Sequence, residues 1–357
     1  MTVATRSAWK VETTTRTSTL FLSFLVILVV VLAFAPFYAS RSLIQDLFFI
    51  MTMLVLAQGW NLLAGYAGLV SVGQQAFVGI GAYAMFCGVI LLDLDPILSI
   101  VLGGFAASLL AVPTAFFTFR LQGAYFAIGT WVVAEIVRLS VAQWKALGGG
   151  TGTSLPRSAT REMAGIEFLK DTFGFKTSAA ADVITYWLAL ILVVVAVGGV
   201  YWLLRSRQGL GLAAVRDNQN AARSVGVDAQ RLKTIAYLST AFLTGLAGAL
   251  IYVQKARISP DAAFSVVDWT AYAIFIVVIG GIGTIEGPII GVLVFFALQN
   301  TLSGFGSWYL MILGSLGIVI MLFAPRGLWG LFTDRTGIEL FPIRRRLTGG
   351  PNENPGG

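Results

Sequence analysis

The chain reads as an all-α, polytopic transmembrane helical bundle, and three observations predict it. Residues 47–92 run for 46 positions without a charged side chain, and residues 287–325 run for another 39. A span needs about 20 apolar residues to cross a ~30 Å hydrocarbon layer, so each run is long enough for two crossings. Apolar residues make up 57% of the chain and charged ones 11%, against roughly a quarter charged in a soluble domain. The apolar runs also lack the alternation of a membrane β-barrel, the other way to satisfy backbone groups in lipid.

Taken in order, the N-terminal tail, residues 1–19, is rich in Thr and carries Arg6, Lys10 and Arg16. The uncharged run 20–38 outlasts the roughly 7–15-residue apolar region of a signal peptide, and another apolar segment follows at once. It is read as an uncleaved first span. Further spans are expected at 43–64, 66–91, 96–119, 121–143, 183–204, 234–254, 268–285, 288–303 and 307–324, which makes ten, within a range of eight to ten. The permeating unit would then be 20–332, with a polar loop at 205–233 and a C-terminal tail at 333–357 whose Pro- and Gly-rich end is expected to be disordered.

Placing both tails and the 205–233 loop in the cytoplasm puts 15 of the 24 Lys and Arg residues inside, eight outside and Arg138 within a span. Positively charged loops stay on the cytoplasmic side, so this orientation is expected. The segment 144–182, with five basic and four acidic residues, then lies outside. Topology alone accounts for the net charge of +7, and no nucleic-acid partner is needed. Glycines at Gly79, Gly81, Gly103 and Gly104 fall inside expected spans, where a missing side chain lets helices approach closely.

The residue inventory excludes several chemistries. The chain has no His and one Cys, Cys87, so a histidine metal site, a thiolate cluster, a Ser-His triad and an internal disulfide are ruled out. It contains no Gly-Lys dipeptide, so a GxxxxGK[ST] phosphate loop cannot exist. No nucleophile and base pair stands out for an intramembrane enzyme.

The loop RSRQGLGLAAVRDNQNAARSVGVDAQRLK, residues 205–233, reads as a short helix lying outside the membrane. Leu212, Val215, Ala222 and Val225 recur at helical spacing, and Arg216, Asn220 and Arg223 share the opposite face. Gly226 suits a helix end and Asp228 the cap of the following span. A basic interfacial loop and a docking element for a soluble partner are both compatible with this pattern.

Within the spans, Glu135 and Arg138 stand three residues apart on one helical face, close enough to pair where a lone charge would be costly. Helix-fixing and pathway roles are both open, and the short distance to Trp144 favours a structural pair near the external end. Gln74 and Gln75 sit deep in an uncharged region, where amides are expected to face the bundle interior. With Tyr125 they are candidates to line a path.

The order NLLAGYAGLVSVGQQAFVGIGAY (61–83), LQGAYFAIGTWVVAEIVRL (121–139), the 206–250 segment, GGIGTIEGPIIG (280–291) and MLFAPRGLWGLF (321–332) resembles the LivM-type permease subunit of bacterial ABC importers for branched-chain amino acids. The resemblance implies a second homologous permease, two cytoplasmic ATPase subunits that bind ATP and Mg, and a periplasmic or lipid-anchored substrate-binding protein. The bundle would sit in the inner membrane with both termini cytoplasmic, and no cofactor is expected in this chain. It also implies that 209–227 is the coupling helix, with Arg216, Asp217, Asn220 and Arg223 as polar contacts and Gly209, Gly211 and Gly226 as turns. The chain departs from the family's usual pattern near Gln74, where a histidine is common, and at Glu286, an acid at a turn that is usually uncharged. Two other readings compete. A urea or short-amide ABC permease shares the scaffold, and an ion-coupled secondary transporter would need intramembrane acids around a midplane site, for which only Glu135, Asp46 and Glu286 are available.

Overall fold

The computed structural model describes residues 10–12, 16–161, 163–306, 308–337, 340–342 and 346–348. The expected disorder beyond residue 348 and most of the N-terminal tail lie outside the described residues. Nine helical segments among the described residues are long and apolar enough to cross a membrane. In chain order the helices are α1 (Arg16–Phe34), α2 (Arg41–Asn61), α3 (Gln74–Leu91), α4 (Pro96–Thr118), α5 (Ala124–Ala142), the short α6 (Arg157–Arg161) and α7 (Ile166–Phe173), and α8 (Thr177–Arg205). The loop helices α9 (Arg207–Asp217) and α10 (Gln219–Ser224) follow, then α11 (Ala229–Lys255), α12 (Pro260–Ala263), α13 (Tyr272–Gly280), α14 (Glu286–Leu302), α15 (Trp308–Phe323) and α16 (Gly327–Thr336). Helix α14, at 17 residues, is apolar but shorter than the other spans.

Two spans depart furthest from expectation. The third helix begins at Gln74, eight residues later than the apolar run suggests, because α2 ends in a π-helical turn at Leu62–Tyr66 and residues 67–73 leave the helix. Residue Gly68, at φ +68°, takes a left-handed conformation that suits glycine. The eighth segment begins earlier than expected, at Pro260, and passes through a second π turn at Val267–Ala271 before α13.

Small residues set the centre of the bundle, where α3, α4 and α11 pack together. A Cβ on Gly81 would lie 2.2 Å from the Gly245 carbonyl oxygen, and one on Gly248 would lie 2.3 Å from that of Val78. Only glycine allows backbones this close. Around this centre α2 packs on α8 and α13 on α14, while α1, α5 and the α15–α16 segment bury the least of their surface.

On one side of the bundle, β2 (Thr153–Ser154) pairs antiparallel with β3 (Arg257–Ile258), and Asp95 both caps α4 and accepts the Ala164 amide at 2.8 Å. These contacts hold Thr153, Ser154 and Ala164 against the start of α4 and the end of α11. At the other end, β1 (Lys10–Glu12) pairs with β4 (Arg346–Thr348), and Phe341 packs edge-on to Phe21 with ring centroids 5.5 Å apart. Both ends of the described chain therefore lie on one side of the bundle.

Candidate translocation and coupling site

The break between α2 and α3 gathers buried polar side chains from five helical segments. Residues 67–73 have no helical ladder of their own, so their backbone groups need other partners. Trp60 Nε1 donates to the Ser71 carbonyl at 2.8 Å, and Thr130 Oγ1 accepts the Val72 amide at 3.0 Å. Gln74 Nε2 donates to the Leu56 carbonyl at 2.8 Å and to Thr244 Oγ1 at 3.3 Å. Thr270, on the second π turn, accepts the Gln75 amide and donates to the Gln75 side-chain oxygen. Gln74 and Gln75 are 2% and 1% exposed, so in this state they are interior groups that tie helices together. Gln74 Oε1 is buried with no hydrogen-bond partner among the described residues. Tyr125 is 74% exposed at the start of α5. The structure therefore does not bring these three candidates onto one surface.

A second polar knot joins α2 to the α13–α14 turn. Gln58 Nε2 donates to the Ile285 carbonyl and Asn61 Nδ2 to that of Thr284, both at 2.7 Å, while Asn61 Oδ1 accepts the Gly283 amide at 2.8 Å. Sequence reasoning missed these residues. The polar positions Gln58 and Asn61 inside an uncharged run were the available signal.

The 205–233 loop is two helices, which corrects the single rod expected over 212–225. Asn218 breaks it with extended backbone, at φ −156° and ψ 103°, and its own side chain caps α10 by accepting the amides of Asn220 and Ala221. Leu212, Val215 and Ala222 are buried as expected, but Val225 is 78% exposed because the second helix ends at Ser224. Gly226 is a turn, with φ +86°. Gly209 and Gly211 lie inside α9, where a Cβ would lie 2.2 Å from the Leu204 carbonyl oxygen and 2.6 Å from the Leu232 side chain. They are close-approach positions and not turns.

Arg216, Asp217, Asn220 and Arg223 are exposed and line a cleft of about 580 Å³ with Gly68, Val70, Gln122 and Lys233. Arg216 also reaches inward. Its Nη1 donates to the Gly65 carbonyl at 2.8 Å, and its Nε and Nη2 donate to Asp217 Oδ1. Arg223 forms no ion pair among the described residues.

At the opposite end, Arg138 Nη2 lies 2.6 Å from Glu135 Oε1, and its Nη1 lies 2.6 Å from Asp261 Oδ1 at the start of α12. Asp261 is a third member that sequence spacing cannot reveal. Glu286 is buried and accepts the amides of Leu340 and Phe341 at 3.2 and 2.8 Å, holding the chain after α16 against the bundle.

The family described as branched-chain amino acid transport system, permease component, matches residues 42–324. The chain is 30% identical over 316 residues to the high-affinity branched-chain amino acid transport system permease protein LivM of Escherichia coli K12, covering 85% of this chain and 74% of that protein. The LivM protein of Salmonella typhimurium is also 30% identical, over 318 residues and the same shares of the two chains. BraD of Pseudomonas aeruginosa, a permease protein of the same description, is 26% identical over 308 residues, 82% of this chain and 96% of the relative. No solved structure matches.

Proposed function

The chain belongs to the branched-chain amino acid transport permease family, and from that premise we propose that it is one of two permease subunits of an ABC importer for branched-chain amino acids. ATP is hydrolysed by separate cytoplasmic subunits, and a periplasmic or lipid-anchored binding protein delivers the cargo. The inner membrane holds the bundle, with both termini and the 205–233 loop on the cytoplasmic side. The observation that carries this reading is the α9–α10 loop, joined directly to the long spans α8 and α11 and presenting Asp217, Asn220 and Arg223 outward. A loop built this way can turn closure of an ATPase dimer into a tilt of the two spans.

Gln74, Gln75 and Tyr125 are proposed to contact substrate in the transporting complex, where Gln74 Oε1 is the acceptor on offer. The test is ATP-dependent uptake in vesicles that hold this chain with a second permease, two ATPases and the binding protein. Uptake of leucine, isoleucine or valine is expected. Uptake of urea or short amides instead would move the cargo while keeping the machine, and uptake driven by an ion gradient without ATP would overturn the reading.

A further inference from the structure

Arg216 stands among residues expected to meet a partner, yet its guanidinium is committed inside the chain. Its Nη1 donates to the Gly65 carbonyl at 2.8 Å, at the end of the π turn where carbonyls lack helical donors and where a cation is favoured. The Gly65 position is clamped, since a Cβ there would lie 2.6 Å from both Asn61 Oδ1 and the Gly283 amide nitrogen. Three residues on, the backbone again passes close to residue 216, because a Cβ on Gly68 would lie 3.7 Å from Arg216 Cα. One side chain of the loop thus bonds the π turn just before the broken segment and passes near Gly68 just inside it. Asp217 holds the other two guanidinium nitrogens and fixes their direction.

We infer that Arg216 is a strut: it joins the coupling loop to the π turn that leads into the unwound 67–73 segment, so that movement of the loop is passed within this chain to the polar break between α2 and α3. The inference rests on the permease reading proposed above. Beyond Gly68 the chain is held by separate bonds from Trp60, Thr130 and Thr270. A segment without its own backbone ladder is the kind of element that shifts first. Val70, in its middle, is 48% exposed and lines the same cleft as Arg216 and Arg223. Arg223, with no ion pair among the described residues, is left to face a partner. The two arginines therefore have different jobs.

The test uses the assembled importer in vesicles, in a Cys87→Ser background with Val70→Cys as the reporter. In the parent, modification of that cysteine by a small thiol reagent is expected to differ between nucleotide-free and nucleotide-trapped complexes. In Arg216→Ala the difference should vanish and uptake should fall about tenfold or more, while the ATPases still co-purify and hydrolyse ATP at the basal rate. Arg216→Lys should recover part of the response, because a lysine keeps one donor and the charge but lacks the fork. Arg223→Glu should instead release the ATPases.

Loss of the ATPases from Arg216→Ala would make it a docking contact and overturn the strut. Retained uptake with a retained difference at position 70, or equal rates in the two states of the parent, would overturn it as well. A parent complex that neither holds ATPases nor transports would overturn the permease reading itself.

Discussion

Arg138 has two acids, and that changes what removing one should do. The i,i+3 spacing of Glu135 and Arg138 was legible in the sequence, and the pair is present at 2.6 Å. Asp261, 123 residues away in sequence, was not legible, since no local pattern reports which loop returns to a helix end. With Glu135 as its only partner, Glu135→Gln would strand a cation at the edge of the membrane. With Asp261 present, the single change should cost about 1 kcal/mol or less, in the range of exposed pairs. The double change Glu135→Gln with Asp261→Asn should exceed the sum of the two single changes, approaching ~2 kcal/mol, because Arg138 then has no counter-charge. Thermal midpoints of the purified protein and the yield of inserted protein check this. An additive double mutant would show that the three groups do not act together.

At the scale of elements, hydropathy located the spans but could not see the break at residues 67–73. The sequence AGLVSVG there is apolar and uncharged, so it reads as continuous with its neighbours. The usable signals were Gly65, Gly68 and Gly73 in close succession and polar residues on either side, which mark backbone leaving a helix where other helices can satisfy it. The 205–233 loop was misread as one helix for a related reason. Apolar spacing described its buried side correctly through Ala222, while the capping preference of Asn218 was the cue to the break.

The break supplies a prediction of its own. Thr130→Val keeps the shape of the side chain but removes the acceptor of the Val72 amide, leaving a part-buried donor unpaired at a cost of about 1–3 kcal/mol. Faster hydrogen exchange confined to residues 69–75 is expected, and unchanged exchange there would mean that the segment is held by other means. The centre of the bundle is stricter. Gly245→Val would drive a side chain against Ala107, whose Cβ already lies 2.4 Å from the position of a first carbon, so a loss above ~3 kcal/mol and little folded protein are expected.

For the whole molecule, the proposed orientation rests on charge and crossing parity taken together. The basic count favours the loop 205–233 and both tails on one side, and the pairing of Lys10–Glu12 with Arg346–Thr348 brings the two ends of the described chain together. Nine long spans alone would put those ends on opposite sides. With both tails on the cytoplasmic side as proposed, the 17-residue helix α14, about 25 Å long at 1.5 Å per residue, is the tenth crossing, despite being shorter than a ~30 Å hydrocarbon layer. Such a length is tolerable where neighbours cover it, and α14 is packed against α13, α2 and α16.

Single cysteines in a Cys87→Ser background, at Ser206, Thr153 and Thr348, separate the alternatives. In intact cells an impermeant thiol reagent should modify position 153, which lies on the β2 strand of the opposite end, and should reach 206 and 348 only after the membrane is opened. If 206 is labelled from outside and 153 is shielded, the bundle is inverted and the α9–α10 loop cannot meet a cytoplasmic ATPase. If 206 is shielded but 348 is labelled from outside, α14 does not cross, and the pairing of the two tails cannot persist in the membrane.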